Sequence, residues 1–348
     1  MWQEFNQHGV AGSHPYFVYT PEKYQVGTSV PLIVMLHGCT QSALDFATGT
    51  RMNLLAEQHN FIVVYPQQTK ASNQNLCWNW FLSTHQVRGS GEPASIAGIV
   101  QTIKNATMTW TIDPTRIYVA GISAGAAMAV ILGVTYPDLF AAIGVHSGLE
   151  YQAATSTSTA FKVMRRGGPE PVQQGLIAYN MMSNHARLIP TIVFHGTRDQ
   201  FVVPLNGDQT VQQWIQTNTL ASQGRYTANF SQPNNVTYGQ VPGGRAYTTT
   251  SWNTVDGKEV QAYWKISGMG HAWSGGNSGS TYTDRRGPDA SLAIYTFFMA
   301  HSLRSMEHSI SQTMPLQNKF LQTLSGFFHK RGSHESGTHS EGGNIQHE

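Results

Sequence analysis

The stretch RIYVAGISAGAA, Arg116–Ala127, decides the fold. Its first five residues, Arg116 to Ala120, form a β-rich run that stops at Gly121. Small residues follow, and a helix-like pattern begins. One hydroxyl, Ser123, stands between Gly121 and Gly125. A strand that turns sharply into a helix needs small neighbours, because its two arms approach closely. The residue at the apex sits in a strained backbone conformation, and Gly-x-Ser-x-Gly in this setting reads as a nucleophile elbow. The free amides at a helix start favour negative charge developing there. The bland alternative is a tight strand–helix turn with an incidental serine, and it weakens as the other parts of a site come into view.

Working outward, apolar runs bounded by turn signals recur. PLIVMLHG (Pro31–Gly38), FIVVYPQ (Phe61–Gln67), AAIGVHSG (Ala141–Gly148), PTIVFHGTRD (Pro190–Asp199) and VQAYWKISGMGH (Val260–His271) join RIYVAG as strands of the kind buried on both faces. HPYFVYTP near the start reads as an antiparallel edge strand. Helical segments fall between the strands, at Ala43–His59, Ser95–Trp110, Ser123–Thr135, Gly207–Asn218 and Asp289–Leu303. This alternation predicts an α/β chain with a mostly parallel central sheet flanked by helices. Residues 150–189 carry Ser/Thr and Met/Gly clusters and read as an irregular surface insertion near the site. The expected organisation is a catalytic domain over 1–303, a helical extension over 304–330 and a disordered polar tail over 331–348. In the extension, Leu316, Phe320, Leu324 and Phe327 recur at helical spacing.

Composition narrows the function. Charged residues make up 11% of the 348, against roughly 25% in a typical soluble domain. The net charge is +2 and the basic residues are scattered, so no nucleic-acid partner is expected. No apolar run approaches the roughly 20 residues of a membrane span. The N-terminal MWQEFNQHGVAGSHPY lacks the apolar core of a signal peptide. That leaves a cytoplasmic protein, a mature form or unconventional export. The histidines scattered through the tail read as solvated rather than metal-binding. Two cysteines, Cys39 and Cys77, are too few for a zinc site, and their spacing does not decide between two buried thiols and one disulfide.

A serine hydroxyl needs a base to take its proton, usually a histidine held in one tautomer by a carboxylate. The chain order in α/β-hydrolases is nucleophile, acid, histidine. Asp199 follows the strand TIVFHG, at the edge where parallel sheets bind ligands. Its rivals are Asp208, which reads as a cap of the following helix, and Asp138 in the YPDLF turn. His271 follows the last long strand behind Gly268 and Gly270. His146, His195 and His301 are the competitors. The oxyanion of acyl transfer needs amide donors, each worth roughly 3–4 kcal/mol. Ala124 N–H, just after the serine, is one. Cys39 N–H, in the loop LHGCTQSA, is the other. A Cys39 thiolate nucleophile is the rival use of that residue. Trp80 and Trp273 are expected to wall the substrate, with Trp78 nearby and core packing as the alternative for each. Serine chemistry of this kind calls for no metal and no cofactor.

Together LHGCTQSA, CWNWF, DPTRIYVAGISAGAAMA, PTIVFHGTRD and GMGHAWSGG resemble the poly(3-hydroxybutyrate) depolymerase-type esterases, an α/β-hydrolase family that also contains feruloyl and acetylxylan esterases. The resemblance spans about residues 15–303. It implies an α/β-hydrolase fold, a catalytic Ser123, Asp199 and His271, an oxyanion amide at Cys39, and a disulfide between Cys39 and Cys77. It also implies an extracellular esterase, with a cytoplasmic one as the alternative. The expected substrate is a short-chain polyhydroxyalkanoate or its oligomers, hydrolysed by a monomer through an acyl-enzyme. Feruloyl, acetylxylan or other polyester esterases and an acyltransferase are the alternatives. A polymer-binding module on an inactive scaffold is the non-enzymatic one. No C-terminal substrate-binding domain of the kind many polymer-degrading relatives carry is expected from residues 304–348, which favours soluble esters or oligomers over crystalline polymer.

Overall fold

The computed structural model describes residues 1–9 and 12–303. The expected extension over 304–330 and tail over 331–348 lie outside them. The strands are β1 (Trp2–Gly9), β2 (Gly12–Tyr19), β3 (Val30–Leu36), β4 (Ile62–Pro66), β5 (Ile112–Ile122), β6 (Ala142–His146), β7 (Thr191–Gly196), β8 (Asn235–Gln240), β9 (Ala246–Asn253) and β10 (Glu259–Ile266). Two short strands follow, β11 (Trp273–Ser274) and β12 (Thr283–Asp284). The helices are α1 (Ala43–Thr50), α2 (Met52–His59), α3 (Gly91–Asn105), α4 (Ala124–Thr135), α5 (Thr157–Arg166), α6 (Pro171–Met182), α7 (Pro204–Ala221) and α8 (Ala290–Met299).

Among the described residues, ten strands make one sheet in the order β1-β2-β4-β3-β5-β6-β7-β10-β9-β8. The centre, from β4 to β10, is parallel; β1, β2, β8 and β9 pair antiparallel. Helices cover both faces of the centre, so β3, β4, β6 and β7 are buried along their whole length. This is the α/β architecture that the apolar runs predict.

The departures have physical causes. HPYFVYTP is not the edge: β1 pairs outside it, with Trp2 stacked on Phe17 and Phe5 on Tyr16. β1 is polar and exposed on one side, so its sequence carries little apolar signal. The other edge, β8 and β9, is Thr- and Asn-rich for the same reason. Ala43–His59 is two helices, broken where Arg51 adopts a left-handed φ of 58°. Residues 150–189 are not irregular. Ser156 and Thr159 form a reciprocal capping box that starts α5, and Pro171 opens α6.

At the centre, α4 is buried on every side, as a helix without a polar face must be. It leaves β5 so tightly that a Cβ on Gly125 would overlap the carbonyl oxygens of Leu36 and His37. One on Gly121 would lie 2.5 Å from the Gly125 backbone. Gly125→Ala is therefore expected to destabilise the fold by about 3 kcal/mol or more. Gly270, where a Cβ would meet nothing within 4 Å, is the matched control. Denaturant melts of the two alanine variants check this, and equal stabilities would contradict it.

Beyond β6 the chain buries Glu150, whose two carboxyl oxygens have no hydrogen-bond partner among the described residues. Burial, with Glu170 adding to it, pushes this carboxyl up to about 8. The folded value lies above the unfolded one, so stability present at acid pH is lost as pH rises through the folded value. Thermal stability of the wild type is expected to fall between about pH 5 and about pH 9, and that of Glu150→Gln to fall less. At about pH 9 the variant should be more stable by about 2 kcal/mol. Parallel stability–pH curves for the two proteins would contradict this.

Candidate active site

Ser123 sits at the apex between β5 and α4 with φ 56° and ψ −121°, a strained conformation for a residue with a side chain. Its N–H donates to the His146 carbonyl at 2.9 Å, and its own carbonyl receives Ala127 N–H at 3.0 Å. The main chain is thus tied on both sides, and the side chain lines a pocket of about 330 Å³.

The loops after β7 and β10 are laced together. Thr197 N–H donates to the Ile266 carbonyl at 3.0 Å, Arg198 N–H to Met269 at 2.9 Å, and Gly268 N–H to Thr197 Oγ1 at 2.9 Å. The lacing brings Asp199 and His271 together, with His271 Nδ1 2.7 Å from Asp199 Oδ2. The other carboxylate oxygen accepts Phe201 N–H at 3.0 Å and Val202 N–H at 2.9 Å. Burial pushes the Asp199 carboxyl up. The His271 hydrogen bond, the charges of His271 and His195 and the Val202 amide outweigh burial and hold it below its usual range. An ionised Asp199 fixes the proton on His271 Nδ1 and leaves Nε2 as an acceptor. His271 lines the same pocket as Ser123.

Cys39 and Ala124 line that pocket too. Neither amide takes part in the described turn, cap and loop hydrogen bonds. A Cβ placed on Gly38 would lie 3.4 Å from that of Ser123, so the Cys39 loop runs directly against the serine. Gln41 Oε1 accepts Gly38 N–H at 2.9 Å and shapes the loop. Cys39 is bonded to Cys77, which removes the thiolate reading of Cys39.

The rival residues are engaged elsewhere. Asp138 holds Arg88 through two bonds of 2.6 and 2.9 Å. Asp208 is not a cap: it lies inside α7 and takes Tyr263 Oη at 3.0 Å and Lys265 Nζ at 2.7 Å. His146 is buried, and its Nε2 accepts Ser274 N–H at 3.0 Å. Burial, then the neighbouring His195 and His271, hold it well below its usual value, hence neutral. His195 donates from Nε2 to the Val202 carbonyl at 2.8 Å, supporting the Asp199 loop from behind. His301 lies between the carbonyls of Phe297 and Glu259.

Of the tryptophans expected at the substrate, Trp80 lines the pocket. Trp273 does not. β11 turns it into the core, where it is 1% exposed, packs on Phe46 and His146 and donates to Ser291 Oγ at 3.0 Å. Trp78 is buried beside His14 and His37. The walls that sequence reasoning missed are Phe161 and Met164 of α5, Phe201 after Asp199, and Tyr282. Phe161 and Phe201 are 63% and 61% exposed at the rim. The capping box at Ser156 and the helical spacing of Ala160, Phe161 and Met164 are the signals that could have found α5.

A family model described as esterase PHB depolymerase matches residues 15–229. That span contains Cys39, Ser123 and Asp199 and stops short of His271. Poly(3-hydroxyalkanoate) depolymerase C of Paucimonas lemoignei is 41% identical over 189 residues, 53% of this chain and 44% of that protein. Acetylxylan esterase A of Talaromyces purpureogenus is 30% identical over 270 residues, 73% of this chain and 63% of that protein. The chain thus matches about half of these two relatives' lengths. The solved acetyl xylan esterase from Aspergillus awamori is 22% identical and shares the fold with a TM-score of 0.68, over 86% of this chain and 99% of that one. The motifs around Ser123, Asp199 and Cys39 therefore sit inside a matched sequence family and a matched fold, and the chain belongs to the esterase PHB depolymerase family.

Proposed function

We propose that this protein is a serine esterase that hydrolyses short-chain polyhydroxyalkanoate, poly(3-hydroxybutyrate) or its oligomers, through an acyl-enzyme on Ser123. The observation that carries this reading is the 2.7 Å contact of a buried Asp199 with His271, which lines the same pocket as Ser123. His271 Nε2 takes the Ser123 proton as Oγ adds to the ester carbonyl. The carbonyl oxygen becomes an anion and is met by Cys39 N–H and Ala124 N–H. The intermediate collapses, the C–O bond to the alcohol breaks, and His271 gives its proton to the leaving oxygen. Water then adds to the acyl-enzyme by the same route, freeing the acid and restoring Ser123.

Trp80, Phe81, Leu149 and Met164 make the pocket wall largely apolar, which suits the carbon chain of a hydroxyalkanoate. Poly(3-hydroxyalkanoate) depolymerase C is the relative of 41% identity. The similarity to acetylxylan esterases supports a second reading, an esterase that removes acetyl groups from polysaccharide. The Cys39–Cys77 bond fits an oxidising compartment and favours an extracellular location. No described helix is long and apolar enough to cross a membrane.

Ser123→Ala is expected to lower kcat on p-nitrophenyl butyrate on the order of 10,000-fold or more, with thermal stability nearly unchanged. Asp199→Asn should cost about 1,000-fold or more near neutral pH, because the amide no longer fixes the His271 tautomer. Retained turnover in either variant would overturn the assignment. On hydroxybutyrate oligomers, acetylated xylan and feruloyl esters side by side, the highest kcat/KM is expected for the oligomers. A preference for acetylated xylan would establish the second reading instead.

A further inference from the structure

Glu92 is an acid with no solvent contact, in the first turn of α3. A buried carboxylate is tolerated only where hydrogen bonds replace its water. Here Oε1 accepts Gln68 Nε2 at 2.5 Å and Asn79 Nδ2 at 2.7 Å, and Oε2 accepts Asn79 N–H at 2.6 Å. His85 Nδ1 also lies 3.4 Å from Oε2 and accepts Glu92 N–H at 3.3 Å, while Gln68 and Asn79 both lead toward one peptide.

On one side, Gln68 is itself buried, and its main-chain N–H donates to His37 Nε2 at 3.0 Å. His37 Nε2 is therefore the acceptor, and the ring proton resides on Nδ1. Burial pushes His37 down to about 4, which keeps the ring neutral. Nδ1 then donates to the Gly38 carbonyl at 2.8 Å. A trans peptide is planar, so a carbonyl held toward His37 sends the next N–H, that of Cys39, out on the opposite side. On the other side, Gln68 Nε2 also donates to the Cys77 carbonyl at 2.9 Å. Asn79 in turn receives Asn73 Nδ2 at 2.8 Å, and Asn73 Oδ1 accepts Cys77 N–H at 3.3 Å. Cys77 is bonded to Cys39. Thr40 N–H donates to the Asn75 carbonyl at 2.7 Å and closes the loop.

We infer that Glu92 is a positioning residue for the reaction: through Gln68 and His37 on one side, and through Asn79 and Cys77 on the other, it fixes the Gly38–Cys39 peptide whose N–H meets the oxyanion. This rests on the acyl-enzyme reading above. Glu92 touches no substrate and acts through the orientation of one amide. The carboxylate supplies acceptors to donors that a neutral side chain of the same shape cannot all satisfy, because a glutamine would set its own NH2 against the N–H groups of Asn79 or Gln68. An oxyanion donor acts in the transition state more than in substrate binding.

The test uses the full chain with p-nitrophenyl butyrate and with butylboronic acid, which forms a tetrahedral adduct on an active-site serine. For Glu92→Gln, kcat is expected to fall about tenfold to 100-fold with KM within about twofold, since a misdirected donor loses part of what a deleted one loses. The boronate affinity should weaken by a similar factor. Gln68→Met severs the tie to Glu92 while leaving the main-chain bond to His37. It is expected to fall in the same direction by about fivefold, and it keeps the test open if Glu92→Gln does not fold. Variants that lose thermal stability but keep wild-type kcat and boronate affinity would overturn the inference, leaving Glu92 a purely structural anchor. A KM rise at unchanged kcat would overturn it as well. Wild type that neither turns over the ester nor binds the boronate, or Ser123→Ala that does both, would instead mark a failure of the acyl-enzyme reading itself.

Discussion

Among the described glycines the tightest approach is that of α4 to the end of β3, where the Gly125 main chain lies under the Leu36 and His37 carbonyls. Only a residue without a Cβ fits there. The contact sets the distance between the helix and two adjacent strands, β3 and β5. It also holds the two loops that leave those strands against each other. One carries Ser123 and the other Cys39, so the same close approach sets the Gly38–Cys39 loop directly against the serine. The strain at Ser123 persists because the His146 carbonyl, Ala127 and a wholly buried helix over-determine it.

Two further sets of contacts extend from that centre. The loops after β7 and β10 are bonded to each other rather than to solvent, so Asp199 and His271 are presented as one unit. On the opposite flank, a buried acid, a glutamine and a histidine surround the Cys39 loop, and the disulfide closes it. Both flanks spend buried polar groups to fix orientation, and burial makes those groups stiff because any partner lost is left unsatisfied. The α5 side is different. Phe161 and Phe201 stand exposed at the rim, and their rings offer no polar atoms for such bonds. Ser123, Asp199 and His271 are tied in place by hydrogen bonds, while the α5 wall of the pocket is apolar and open.

The centre of the sheet and the Ser123, Asp199, His271 and Cys39 positions were legible in the sequence because they sit at ends of apolar strands, where periodicity and glycines mark the chain clearly. The outer strands were not, since β1, β8 and β9 face solvent and are built from polar residues. Trp273 was misplaced for a related reason. Adjacency to His271 in sequence does not say which way a two-residue strand turns its ring, and here the core takes it. α5 was hidden because its composition is polar apart from one stripe, although its capping box was readable. Glu92 gave no signal at all: a single acid near a helix start reads as a solvated first-turn charge until its burial is seen.

A Ser123 nucleophile activated by His271 would be captured covalently by a reagent that phosphonylates active serines. The most direct measurement is labelling of the folded protein with a fluorophosphonate, followed by peptide mass spectrometry. One adduct is expected, on the peptide containing Ser123, formed rapidly in the wild type and far more slowly in His271→Ala. No adduct, an adduct on another residue, or a rate that does not depend on His271 would contradict it.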